Sequence, residues 1–347
     1  MPKHNCSHLC LSCLLLWLIM IPSGCVRVRE SVIEAEPPLS IPNPPGLPPS
    51  FTTPGLPYPL TFTRDGDIYM IDPDGTERNL LGKTPEIERG ANWSPDGSYI
   101  ALSTTTAGNS DITIVPMASL NVPLTKYTLS QTPHLDETNP TWSPDGRRLA
   151  YSAYRSGTWR IEVVDLSLFK DYRAPLVSST RTVTPITQSL RLKAHPVWSP
   201  DGNSIAYTSD VGDRWQVTVT TIGQNRHRSF PGTETALPNT YRISSTAYPA
   251  WSPDGARMAF ASTHSGNWDI YLVNADGTGW QRLTSHPAPD WHPAWSPDGK
   301  WIAFASGRSG SGDLYVVRND GTELSQLTES PTPEDDPSWR PPPASGM

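Results

Sequence analysis

Cysteine is absent from everything after residue 25: the four thiols, Cys6, Cys10, Cys13 and Cys25, all sit at the start of a 347-residue chain. No disulfide and no thiolate metal site can brace the rest, so the body of the molecule must hold together by packing alone. Charge is also sparse, at 18% Asp, Glu, Lys and Arg, and its balance is acidic, with a formal net charge of -7 and a pI near 5.6. No basic stripe is present to track phosphates, so a nucleic-acid partner is not expected. A long membrane-spanning run is missing as well. The apolar stretch from Leu9 to Ile21 covers 13 residues, whereas a hydrocarbon core of ~30 Å asks for about 20.

That stretch reads instead as an export signal over residues 1–24, with Lys3 ahead of the apolar run and small residues before Cys25. The segment Ile21-Pro22-Ser23-Gly24-Cys25 resembles the bacterial lipobox, in which a peptidase cuts before the Cys and the thiol carries a lipid. The match is good at Ser23, Gly24 and Cys25 and departs at Pro22. Lipidation at Cys25, an uncleaved anchor and plain secretion all remain open, and each exports the domain behind it. Val26 is not the Asp that often retains lipoproteins at an inner membrane, which leaves an outer membrane or a single-membrane cell surface. Residues 25–58 are crowded with proline, from Pro37 to Pro57. Each ring fixes φ and removes a donor, which predicts an extended tether of ~3.1 Å per residue.

The remaining composition, with 38 Pro, 25 Gly and 13 Trp in the whole chain, suits many short strands joined by tight turns. Internal repetition decides the architecture. Trp-Ser-Pro-Asp-Gly occurs five times, starting at Trp93, Trp142, Trp198, Trp251 and Trp295, and a degenerate copy surrounds Trp339. Intervals of 44 to 56 residues accommodate four short strands and their turns, the size of one propeller blade. In Ser-Pro-Asp-Gly the Pro presets a type I turn, Ser or Asp bonds the local backbone, and Gly ends the turn. Short apolar strands come next, each with one alanine at a fixed place, as in Trp301-Ile302-Ala303-Phe304. That small side chain lets neighbouring sheets approach. The Asp-Gly pairs at 74–75, 276–277 and 320–321 lack the alternating oxygen ligands of a calcium loop and read as turns.

The ends predict how the ring closes. Three strand-like pieces precede the first Trp repeat, and only a lone inner strand surrounds Trp339. The expectation is an all-β, six-bladed β-propeller over residues 59–341, its last blade made of three N-terminal strands and one C-terminal strand, with 342–347 as a tail. Closure of that kind removes both exposed sheet edges.

At this point the pattern Pro-x-Trp-Ser-Pro-Asp-Gly-x-x-Ile-Ala-Phe resembles the TolB-like propellers, built of WD-like Pro-Asp repeats. The resemblance implies a propeller whose ring docks a protein or peptide. TolB proper carries an α/β domain ahead of its propeller, a place taken here by the proline-rich segment.

In a propeller the innermost strand of each blade lines a central channel, so residues just before each Trp converge on the axis. The third residue before each Trp is Gly90, Asn139, His195, Tyr248, His292 or Asp336, with Glu137, Asp290, Trp291, Glu334 and Asp335 nearby. The candidate binding mouth therefore comprises Gly90, Asn139, His195, Tyr248, Trp291, His292 and Asp336, with Tyr248 and Trp291 supplying contact area. The bland alternative is that these side chains merely fill or hydrate the channel. The repeated tryptophans read as packing. His195, His292 and Asp336 carry donor types that suit zinc or manganese, but no close-spaced His motif accompanies them, and no metal and no cofactor is expected.

Enzyme signatures fail in turn. Gly307-Arg308-Ser309-Gly310-Ser311 misses the last glycine of a nucleophile elbow. No His-Glu-x-x-His helix and no glycine-rich phosphate loop occurs. The repeats also place Trp before Ser and Gly directly after Asp, unlike the turn of sialidase-type propellers. The expected function is a non-enzymatic, monomeric, exported propeller that binds a protein, peptide or glycan at its channel mouth. The alternative is a channel-sited hydrolase or lyase, which could depend on a metal.

Overall fold

The structure is a computed structural model that describes residues 55–119, 125–129, 135–167, 183–187, 192–212, 214–223, 227–230 and 244–342. The export signal, Cys25, the tether up to residue 54 and the tail beyond residue 342 lie outside the described residues. The compact unit Phe51–Met347 contains six four-stranded antiparallel sheets, each a blade. Two single turns of 3-10 helix, Met117–Ser119 and Gly307–Ser309, are the described exceptions to strand and turn.

The innermost strands are Ile87–Trp93, Glu137–Trp142, Lys193–Trp198, Thr246–Trp251, Asp290–Trp295 and Glu334–Trp339. Each of the first five continues outward through consecutive strands of its own repeat. The sixth is completed from the other end of the chain. Glu334–Trp339 pairs with Leu60–Arg64, Leu60 opposite Trp339, and the sheet continues through Asp67–Ile71 to Glu77–Asn79. The expected closure by three N-terminal strands and one C-terminal strand is therefore observed.

Every Ser-Pro-Asp-Gly corner folds as its residues dictate. The Gly amide donates to the Ser carbonyl at 2.8–2.9 Å, and the Ser hydroxyl bonds the Asp carboxylate two residues on. That Asp also accepts the amide just past the Gly, at 3.0–3.2 Å. The five corner glycines have φ of 68–69°, the left-handed region where a Cβ is penalised. They also touch the preceding corner: a Cβ on Gly202 would lie 3.3 Å from Pro144, and one on Gly299 3.6 Å from Pro253. The belt of corners crosses the closure, since Gly97 meets Pro341. The Asp-Gly pairs at 74–75, 276–277 and 320–321 are likewise turns, each Gly amide donating to a carbonyl three residues back.

Packing between blades is set by the tryptophans and alanines. Trp142 joins Ala101, Ile112 and Ile114 of the preceding blade to Leu149 and Tyr151 of its own. Trp339 does the same across the closure, among Ala303, Leu314, Val316, Leu60 and Phe62. Ala101, Ala150, Ala206, Ala259 and Ala303 are wholly buried, so the small residue does sit where two sheets approach.

The first or second residue of most inner strands is a buried ion held by its own blade. Lys126 Nζ reaches Glu88 at 2.7 Å and Arg308 holds both Asp290 oxygens at 2.9 Å, while Arg155 pairs with Glu137 and Arg64 with Glu334. In the third blade Lys193 inverts the charge and donates to Ser209 at 2.7 Å. Glu137, Asp290 and Glu334, placed near the channel mouth on sequence grounds, are thus structural groups inside the blades. Their burial removes water, and their partners, Arg155 and Arg64 on neighbouring strands and Arg308 in a 3-10 turn, are not announced by the sequence.

Trp339→Ala should destabilise the protein by about 3–5 kcal/mol in urea unfolding, the usual cost of deleting a buried tryptophan. Burial pushes the Glu137 carboxyl from 4.5 up to about 7, against the opposing pull of Arg155. The folded state therefore holds more protons than the unfolded chain between those values, so this group's contribution to stability falls as pH rises through that window. Glu137→Gln should flatten that part of the urea-midpoint profile.

Candidate functional site

Each inner strand carries one bulge. In the first blade Arg89 pairs with Ser103 and Asn92 with Ala101, so Gly90 and Ala91 together face Leu102. The same two-against-one step recurs in the other five sheets. The first bulge residue is Gly90, Asn139, His195, Tyr248, His292 or Asp336, with φ of 60°, 54°, 52°, 56°, 48° and 53°. A left-handed first residue is the means by which such a bulge bends a strand and re-aims a side chain. Pro or Ala comes after it, a residue that needs no ladder hydrogen bond there or has little side chain to place. Several bulge amides are satisfied by the preceding blade: Gly90 donates to Thr63 Oγ1 at 3.3 Å, Asn139 to Ser103 Oγ at 3.0 Å and Tyr248 to Thr208 Oγ1 at 3.0 Å.

The bulges bring all six residues to one cavity of about 300 Å³ at the channel. Its two halves differ. Three neighbouring blades present an aromatic wall, with Tyr248 edge-on to His292 at 3.9 Å and to His195 at 4.7 Å between ring centroids. The opposite half carries only Gly90 and Asn139, which leaves that side open.

Beside the wall, His292 Nδ1 contacts Asp335 and lies 3.1 Å from Asp336 Oδ1. Asp335 Oδ1 also accepts from Trp291 Nε1 at 3.0 Å and from the Asp336 amide at 2.8 Å. Burial opposes charge on His292, but the two carboxylates outweigh it and raise its pKa. Burial, helped by the neighbouring His292, holds His195 well below its ordinary value and keeps it neutral. Asp336 is pushed up to about 6 by burial and by Asp335. Among the six bulge side chains, three buried atoms lack a hydrogen-bond partner: His195 Nδ1, His292 Nε2 and Asp336 Oδ2. Unsatisfied buried polar atoms are rare in native proteins and call for a water, an ion or a ligand.

With fold and mouth in view, the chain can be placed among known proteins. The TolB beta propeller domain matches residues 65–241 and 239–344, most of the sequence. The chain belongs to the TolB β-propeller family. Among curated proteins, the Tol-Pal system protein TolB of Anaeromyxobacter dehalogenans is 34% identical over 95 residues, 27% of this chain and 20% of that protein. The match thus spans about a fifth of that relative's length. Among solved structures, TolB from Acinetobacter baumannii superposes with a TM-score of 0.66 at 20% identity, covering 82% of this chain and 67% of that one. An oligogalacturonate lyase in complex with manganese gives 0.53 at 19% identity, covering 77% and 71%. At these identities the structures share the fold.

Within this TolB-type ring, six of the seven sequence-predicted mouth residues line the cavity. Trp291 does not. Its ring packs between blades, with Cζ2 and Cη2 3.6 Å from where a Cβ on Gly312 would lie, and its Nε1 serves Asp335. Side chains alternate along a strand, and that period alone sends the neighbour of His292 to the other face. Asp335 has a larger part than its sequence position suggests: a mere rim neighbour there, it is the acceptor that orients His292.

Gly90 shows what backbone conformation alone would select at these positions. Five of the six bulges keep a side chain at positive φ, and each costs on the order of 1 kcal/mol or more. Asn139→Gly should accordingly leave stability unchanged or raise it by up to about 1 kcal/mol in urea unfolding, while altering the mouth.

Proposed function

We propose that this chain is an exported, non-catalytic TolB-type propeller that receives a protein or peptide partner at the mouth of its central channel. The observation carrying this reading is the set of five side chains held at positive φ around one cavity, a strain the fold could relieve with glycine. The cavity, about 300 Å³, sits at the lower end of ligand-pocket sizes. It suits an inserted side chain or short loop of a larger partner. Tyr248 and the two imidazoles offer a stiff amphipathic surface, and Asn139 adds an adaptable hydrogen-bonding edge. A glycan is the competing occupant. The leader and the lipobox-like residues 21–25 support export with a lipid on Cys25, and a protein partner agrees with the Tol-Pal name of the curated relative.

A second reading has one specific observation behind it. Asp335 fixes His292 Nδ1 and leaves Nε2 buried and unpartnered, the arrangement of a general base. On that reading the channel houses a lyase or hydrolase, and the oligogalacturonate lyase is the neighbour to test against. Formation of unsaturated product from oligogalacturonate by the wild type and not by His292→Ala would favour it.

The binding reading is tested by installing a photo-crosslinking residue at Asn139, and separately at the exposed Leu324, in the full chain in its own cells. The expected result is a discrete protein adduct from position 139 only, weakened by Tyr248→Ala. Identical adducts from both positions, or none from 139, would refute it.

A further inference from the structure

The three orphaned atoms point to chemistry that a partner protein alone does not explain. His292 is 7% exposed and Asp336 10%, and each keeps a buried lone-pair atom without a hydrogen-bond partner. Ligand atoms of His292, Asp335 and Asp336 lie within 4.8 Å of one another. His195, whose ring centroid is 5.5 Å from that of His292, contributes the third orphan, Nδ1. Asp335 has a different part. Its Oδ1 already accepts from Trp291, from the Asp336 amide and from His292, so it is engaged before anything else arrives.

We infer that the mouth is a binding site for a divalent transition-metal ion of the zinc or manganese class, with His292 Nε2 and Asp336 as ligands and His195 completing the set. Asp335 is the outer acceptor that holds His292 Nδ1–H and so presents Nε2 as a lone pair, the carboxylate–histidine arrangement that orients metal-bound imidazoles. Mixed imidazole and carboxylate donors suit zinc and manganese, whereas calcium and magnesium favour oxygen-only shells. The cavity on the Gly90 and Asn139 side leaves room for a further ligand from solvent or from a bound molecule. The sequence contains no short His motif because each donor comes from a different blade, one or two whole repeats from the next.

The inference rests on the mouth geometry alone and stands or falls separately from the partner-binding reading. Full-length protein is stripped with chelator, incubated with zinc or with manganese, dialysed, and its metal content and binding isotherm are measured. The wild type should retain one more equivalent than His292→Ala or Asp336→Asn. The leader residues Cys6, Cys10 and Cys13 are common to all variants and cancel in that difference. Asp335→Asn should bind 10- to 100-fold more weakly, as loss of an outer-shell partner does. Thermal melts of the apo variants report whether each is folded, and Tyr248→Phe, which removes no proposed ligand, should bind like the wild type. Equal metal content in wild type and His292→Ala, no retention by any form, or calcium binding as tightly as zinc would overturn the inference.

Discussion

The pairing of Glu334–Trp339 with Leu60–Arg64 is the constraint on which the rest of the molecule depends. It joins residues such as Thr61 and Ser338, 277 positions apart and in direct hydrogen bond. Loop-closure entropy grows only logarithmically with length, so a contact of that span is affordable once blades exist to frame it. Its return is disproportionate. Without it two sheet edges would stand open to other chains, and no axis would exist for the six inner strands to surround. Trp339 then seals the joint as the other repeats are sealed, against the alanine-bearing sheet before it.

Most of this was legible in the sequence because the decisive interactions are local and repeated. A Ser-Pro-Asp-Gly corner is specified by four adjacent residues, and its hydrogen bonds close within five. The closure was legible for the same reason: three strands with no Trp at one end and one Trp with no outer strands at the other are complementary fragments of a single repeat. The mouth residues were legible because their offset from each Trp is constant and the bulge falls at the same step in every blade.

What escaped was everything that depends on partners from other strands. Glu137, Asp290 and Glu334 look like rim acids in the sequence, yet each meets an arginine brought across by its own blade, from a paired strand or, for Asp290, from the 3-10 turn after it. Trp291 was drawn toward the channel by its neighbour His292, although strand alternation assigns it to the opposite face. The link from Trp291 through Asp335 to His292 joins the fifth blade to the sixth. A contact of that kind has no signature in spacing, and only the assembled ring reveals it.

The mouth side chains on either side of that link lie on opposite flanks of the seam. His195 and His292 belong to blades that each form from one uninterrupted stretch of chain, whereas Asp335 and Asp336 ride on the strand that finishes the circle. A polypeptide that has built five blades but not docked its final segment therefore owns the imidazoles without the acids. Assembly of the mouth and topological completion become one event, so a clipped or half-assembled molecule lacks the full set of side chains there.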